Sequence, residues 1–215
     1  MDPIIEGFKK LPTAAVSDAM DKLGMECACF GIQPLDPSFR IVARAFTLKY
    51  EPVAAEKGTV GDFIDDVPQD RVIVIDNAGR TNCTVWGDIL TSVAHRRGLP
   101  GVVINGVCRD VAHSLKLSFP IFSKGRYMRT GKDRVQLEAV NVPVSLGDIR
   151  VNPGDVLVCD ADGVVVVPQE LEEQVLHLAA SIDEAENAIR RDAEAGMPLK
   201  EARARHKYHD LQKKM

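Results

Sequence analysis

No disulfide framework, membrane span or phosphate loop marks this chain, and each absence removes a class of function. The five cysteines (Cys27, Cys29, Cys83, Cys108 and Cys159) are odd in number and contain no Cys-x-x-Cys. That usage suits reduced thiols better than a disulfide scaffold. No apolar run approaches the roughly 20 residues that cross a bilayer. The opening Met-Asp-Pro-Ile-Ile-Glu-Gly-Phe-Lys-Lys has no apolar stretch of the secretory kind, so a cytoplasmic protein without a membrane partner is expected. Positive charge is not in excess. A net charge of -4 and a pI near 5.8 argue against a nucleic-acid partner held by general basicity. His95-Arg96-Arg97 is too short to form a basic patch. Gly-x-Gly-x-x-Gly, a Walker A loop, a nucleophile elbow, internal repeats and low-complexity tracts are all missing.

What is present is an ordinary globular composition, 45% hydrophobic and 27% charged over 215 residues, enough for one sizeable core. Residues 4–10 are amphipathic. Thr13 reads as the cap of a helix from Ala14 to Leu23, with Val16, Met20 and Leu23 on one face and Gly24 closing it. Phe39–Tyr50 alternates as a strand, Gly61–Val67 reads as a short helix, and Arg71–Asp76 is an apolar run of the kind buried on both faces. Phe119–Phe122 reads as a short strand before a basic loop over Lys124–Tyr127, and Val135–Val144 as one weak strand. Val156–Asp160 and Val164–Pro168 flank Ala161-Asp162-Gly163 as a hairpin. Beyond Gln169, apolar residues keep helical spacing to Ile189, and Leu199–Leu211 forms a last charged helix. Few strands have a full helix between them, so a regular doubly wound sheet is not expected.

The most informative stretch runs from Trp86 to Asp110. It predicts a turn, a helix from Ile89 to Arg97, a Gly98/Gly101 break, and a buried strand from Val102 to Val107. Asp88 stands at the helix start and Arg109-Asp110 just past the strand. In open α/β sheets, ligands gather at strand carboxyl ends and helix N-termini. On spacing alone Asp88 reads as an N-cap carboxylate, with the Ile89 and Leu90 N–H groups left to point at an anion. Arg109-Asp110 reads either as a charged pair ending a strand or as chemistry. A carboxylate there suits Mg²⁺ or Mn²⁺, and an adjacent arginine can hold a substrate carboxylate or an enolate oxygen. His206-x-x-His209 reads as a solvated face and Asp160-x-Asp162-Gly163 as a turn. Cys108 beside Arg109 is either a lowered-pKa thiol or a core side chain. Lys49 is the one lysine within an apolar strand pattern, and a Schiff-base role would need its burial.

Asp88, twenty intervening residues and Arg109-Asp110 resemble the Asp-x20-Arg-Asp motif of class II 4-hydroxy-4-methyl-2-oxoglutarate/4-carboxy-4-hydroxy-2-oxoadipate aldolases. The wider family also contains the regulator of ribonuclease E activity A. Val16-Ser-Asp-Ala19, Trp86-Gly-Asp88, Asn105-Gly106, Pro153-Gly-Asp155 and Asp160–Pro168 carry the resemblance across about residues 12–170. It implies a swivelling β/β/α fold (α/β class, RraA-like) with terminal helices: a core over 1–168 and a helical extension over 169–215. It also implies a homotrimer or homohexamer with active sites between subunits. Asp110 is the implied ligand of Mg²⁺ (or Mn²⁺), and Asp88 the implied holder of a metal-bound water. Arg109 would contact the keto or enolate oxygen, while Gly87, Asp88, Ile89 and Leu90 receive the substrate carboxylate. Glu184 or Glu186 would enter a neighbouring site. The implied reaction is metal-dependent cleavage of a 4-hydroxy-2-oxo acid, or decarboxylation of oxaloacetate, through a pyruvate enolate. The alternative from the same family is a non-enzymatic inhibitor of ribonuclease E. Where relatives often read Asp-Gly, this chain has Asn105-Gly106, which removes a charge expected near the metal.

Overall fold

The computed structural model describes residues 2–208. Helices α1 (Pro3–Phe8) and α2 (Thr13–Lys22) open the chain. They are followed by strands β1 (Gln33–Pro34), β2 (Ile41–Pro52) and β3 (Arg71–Asp76). Then come α3 (Asp88–Arg96), β4 (Val102–Cys108), α4 (Val111–Lys116) and β5 (Ile121–Arg126). Strand β6 (Val135–Val140) and a small hairpin, β7 (Val144–Leu146) with β8 (Ile149–Val151), lead to the hairpin β9 (Val156–Asp160) and β10 (Gly163–Val167). Helices α5 (Glu172–Glu194) and α6 (Leu199–Arg205) follow.

The main sheet runs β1-β5-β4-β3-β2-β9-β10, with β6 pairing on β2. Strands β2 to β5 are mutually parallel in the middle; the β1–β5, β2–β6, β2–β9 and β9–β10 pairs are antiparallel. The two edges are joined by one stretch of chain. Cys29 N donates to Val164 O (2.9 Å) and Val166 N to Cys27 O (3.0 Å), and four residues beyond Cys29 β1 begins and pairs with β5. The sheet is therefore nearly closed, which leaves little free edge.

Period-two alternation sorts the side chains into layers. Ala43, Val72, Val74, Val103, Leu157 and Val164 face inward, under the β7–β8 hairpin. Phe46, Ile73, Ile75 and Ile104 face outward on one side, where Trp86, Ala94 and Phe119 cover them. Val42, Val156, Val158 and Val165 face outward on the other side, beneath α1, α2 and α5. Helices α3 and α4 thus cover that first outward face, with the turn that starts α3 tied to the end of β4, and α5 belongs to a different layer.

Several boundaries differ from the sequence expectation. Thr13 is the first residue of α2, and Pro12 holds the cap position. The cap comes from β9: Asp160 accepts from Thr13 N (2.9 Å) and Thr13 Oγ1 (2.6 Å). The Phe119–Phe122 strand runs instead to Arg126, because parallel pairing to Val107 and Cys108 carries it through the basic loop. The Val135–Val144 strand breaks at Asn141, which sits at φ 53, the left-handed region that asparagine tolerates best after glycine. The final helix ends at Arg205, and its expected end at Leu211 lies outside the described residues.

Candidate active site

Asp110 follows β4 in a left-handed conformation (φ 56, ψ 37). Such a conformation costs on the order of 1 kcal/mol for a residue with a side chain and concentrates at functional sites. Arg109 N donates to Trp86 O (3.0 Å), which ties the strand exit to the turn that starts α3. Asp110 is thereby aimed back at that turn. Its Oδ2 accepts from Asp88 N (3.2 Å) and lies 3.3 Å from Arg109 Nε. Gly87 is the N-cap residue, and a Cβ there would stand 2.7 Å from Asp110 Oδ2 and 3.3 Å from Arg109 Nε. Only glycine leaves that cradle open.

Asp88 is the first helical residue rather than the cap, and its Oδ1 accepts from Ile89 N (2.8 Å). That corrects the expectation of a free Ile89 amide: Asp88 covers it. Asp88 and Asp110 are exposed and Arg109 is half-buried, so all three face solvent.

A second layer, which the sequence pattern did not single out, fixes these backbones. Thr91 Oγ1 donates to Gly87 O (2.9 Å) and accepts from Trp86 Nε1 (2.9 Å), with Ser114 Oγ at 3.2 Å. Ser92 Oγ donates to Asp88 O (2.9 Å), and His113 Nε2 lies 2.8 Å from the same hydroxyl. Thr91 and Ser92 stand four residues after Gly87 and Asp88, the spacing at which a helical hydroxyl bonds back to a carbonyl. That spacing is the signal that points to them.

Beside these groups lies a cavity of about 450 Å³, lined by Gly87, Asp88, Leu90 and Arg109 and faced by Val60 and Ile64. Ile89 is 75% exposed. Its neighbour Leu90 packs onto the core beneath α3.

The remaining sequence candidates fall elsewhere. Glu184 is exposed and Glu186 half-buried on α5, a helix that packs on α1 and α2, so one chain does not bring them to Asp110. Burial and the nearby Asp18 raise the Glu186 carboxyl above its usual range. Cys108 is fully buried and its thiol is pushed up by burial, so it is a core side chain rather than an activated nucleophile. Lys49 is half-buried, and its ammonium is paired with Glu51 (3.0 Å), which raises it and leaves no unpaired buried amine there. His206 pairs with Asp192 (2.8 Å), and His209 lies outside the described residues. Asn105 donates to Asp76 Oδ1 (3.0 Å) and Ser145 O (3.0 Å). The exchange of Asp for Asn therefore acts at Asp76, where an amide can donate and a second carboxylate would repel.

The donor set fits a hard divalent cation. Among the described residues no three His, Cys, Asp or Glu side chains converge, whereas Mg²⁺ commonly takes one or two protein carboxylates and keeps several waters. Asp110, held open over Gly87, supplies such a carboxylate.

A nearly closed α/β sheet carrying a carboxylate at a helix start and an Arg-Asp pair at a strand exit defines a class of proteins with a known sequence model. That model, RraA-like (Aldolase/RraA), matches residues 13–166, and the chain belongs to this family. An uncharacterized protein from Pseudomonas syringae pv. tomato is 41% identical over 94% of this chain and 96% of its own, with a TM-score of 0.88. Protein DlpA of Legionella pneumophila is 37% identical over 97% of this chain, which spans only 34% of DlpA's length. A Halalkalibacterium halodurans protein named "Putative 4-hydroxy-4-methyl-2-oxoglutarate aldolase" is 34% identical over 81% of both chains.

Proposed function

We propose that the protein is a divalent-metal-dependent carbon–carbon lyase that produces pyruvate from a 4-hydroxy-2-oxo acid, of which 4-hydroxy-4-methyl-2-oxoglutarate is the type, and from oxaloacetate. One observation carries this reading. Asp110 Oδ2 is drawn over Gly87 to the first amide of α3 with Arg109 on the same oxygen, so a hard oxygen ligand, a cation and a helix N-terminus meet at one point. The aldolase name of a relative 34% identical supports it.

Asp110 would hold Mg²⁺ (or Mn²⁺), which when bound supplies electron withdrawal from the carboxylate and ketone of a 2-oxo acid. Arg109 turns its Nε to Asp110, which leaves the terminal guanidinium nitrogens to hold the ketone oxygen as it gains enolate charge. The substrate carboxylate takes over the Ile89 and Leu90 amides as Asp88 releases Ile89 N and turns to a water. Asp88 and its water then receive the C4 hydroxyl proton. The C3–C4 bond breaks, the C4 hydroxyl becomes a carbonyl, and the electron pair remains on C3 as the enolate. Protonation at C3 gives pyruvate. Oxaloacetate loses its C4 carboxylate as CO₂ and reaches the same enolate. Glu184 or Glu186 of a second copy would complete the site in a trimer or hexamer, with the core over 1–168 carrying the chemistry and the helices beyond it the assembly.

The test is substitution at the ligand. Asp110→Ala removes metal-dependent turnover while the oligomeric state and melting temperature stay close to wild type. Unchanged turnover removes Asp110 from its role.

A further inference from the structure

Asp88 and Asp110 belong to different elements. Asp88 is the first residue of α3, and Asp110 is the cap residue of α4. They meet directly through one long hydrogen bond, from Asp88 N to Asp110 Oδ2 at 3.2 Å. An ion taken up by Asp110 would compete for that same oxygen, so the spacing of the two carboxylates has to rest on other ties. One is the backbone bond from Arg109 N to Trp86 O (3.0 Å). Two more lie one helical turn behind the carboxylates.

The residues three and four places after each carboxylate share its side of the helix, and across α3 and α4 they face one another. Thr91 Oγ1 lies 3.2 Å from Ser114 Oγ, and Ser92 Oγ lies 2.8 Å from His113 Nε2. The pairing is crossed, third with fourth and fourth with third, and makes two rungs between the helices. The rungs are not equivalent. Thr91 and Ser114 are fully buried, and Trp86 Nε1 bonds to the first of them (2.9 Å), so the inner rung is part of the packing. The outer rung reaches the surface, with Ser92 exposed and His113 half-buried. Losing a contact of that kind changes folding stability little. Yet Ser92 Oγ is the group that hooks onto Asp88 O (2.9 Å). Helix α4 has six residues, too few to hold its own geometry in water, and His113 is its link to that hook.

Resting on the lyase reading, we infer that Ser92 and His113 are a positioning pair for Asp88. They hold its main chain against α4 while its side chain leaves Ile89 N for a water. Neither touches the substrate.

Ser92→Ala, His113→Ala, their double variant and His113→Gln test this in the full chain. The first readout is Mn²⁺ affinity of the substrate-free protein, followed through the EPR signal of the free ion. The second is kcat and KM for pyruvate release from oxaloacetate at saturating Mg²⁺. Each alanine variant is expected to weaken Mn²⁺ binding and lower kcat by about 10-fold or more, the loss that follows when a group behind a metal site is removed. KM and the melting temperature should stay near wild type. The double variant should be no worse than either single one, because the pair acts as a unit. Glutamine can donate to the Ser92 hydroxyl or accept from it, so His113→Gln should recover most of both losses. Unchanged Mn²⁺ affinity and kcat in His113→Ala would overturn the inference, as would additive losses or a glutamine variant no better than alanine. Release by the wild type keeps the lyase reading intact in each of those cases. No release by the wild type overturns that reading, and the inference with it.

Discussion

Gly87 shows how much chemistry one missing methyl can permit. Its φ of -153 is extended backbone that alanine adopts freely, so Gly87→Ala carries no backbone penalty. The added carbon would instead push against Asp110 Oδ2 at 2.7 Å. The expected outcome is a fall in turnover on the order of 10²-fold, the effect of an ångström of misplacement, with the melting temperature nearly unchanged. Parallel loss of both in thermal melts and assays would mean that Gly87 serves folding alone. Arg109→Lys keeps the charge but loses the planar fork, and steady-state kinetics should show a loss in kcat/KM of about 10²-fold. At this scale the spacing of Asp88, Arg109 and Asp110 pointed to three residues that the fold brings together. It was misleading about Ile89, whose amide is covered by the side chain of its own neighbour, a local rotamer that no spacing encodes. His113 and Ser92 were invisible because their meeting depends on how α3 lies against α4.

The elements were legible where hydrophobic pattern and turn chemistry agree. Arg71–Asp76 and Val156–Asp160 appear with the expected boundaries. They were misread where partners outside the segment decide: β5 continues through basic residues because β4 offers it a ladder. The start of α2 is another such case, since its cap is Asp160 from β9. Asp160→Ala should lower stability by about 1–2 kcal/mol, as loss of an N-cap does, and urea or thermal unfolding measures it. No change would mean that water replaces the carboxylate without cost. On α5, burial and Asp18 raise the Glu186 carboxyl, so its ionised form is disfavoured in the fold. The resulting penalty is present above the raised pKa and disappears as pH falls to the unfolded value, about 4.3. Glu186→Gln should therefore stabilise the protein at pH 7, by less than about 1 kcal/mol for a group that keeps much of its solvent contact. The gain should vanish in melts near pH 4; a gain of equal size at both values would show that charge is not its cause.

At the scale of the whole molecule, three apolar layers are held by one nearly closed sheet, with α3 and α4 on one outer face and α1, α2 and α5 on another. Sequence periodicity announced a mixed α/β chain without a regular doubly wound sheet. It could not show the closure, which rests on two backbone hydrogen bonds between residues 27–29 and β10, far apart in sequence. The candidate site lies on the α3–α4 side, and one chain does not bring the glutamates of α5 to it. The central claim is that Asp88, Arg109 and Asp110 make the protein a metal-dependent source of pyruvate enolate. Pyruvate release from oxaloacetate and from a 4-hydroxy-2-oxo acid, each with Mg²⁺ and with EDTA, tests it most directly. Release above the metal-only background that EDTA removes is the predicted result. Release that survives EDTA, or none from either compound, would contradict it.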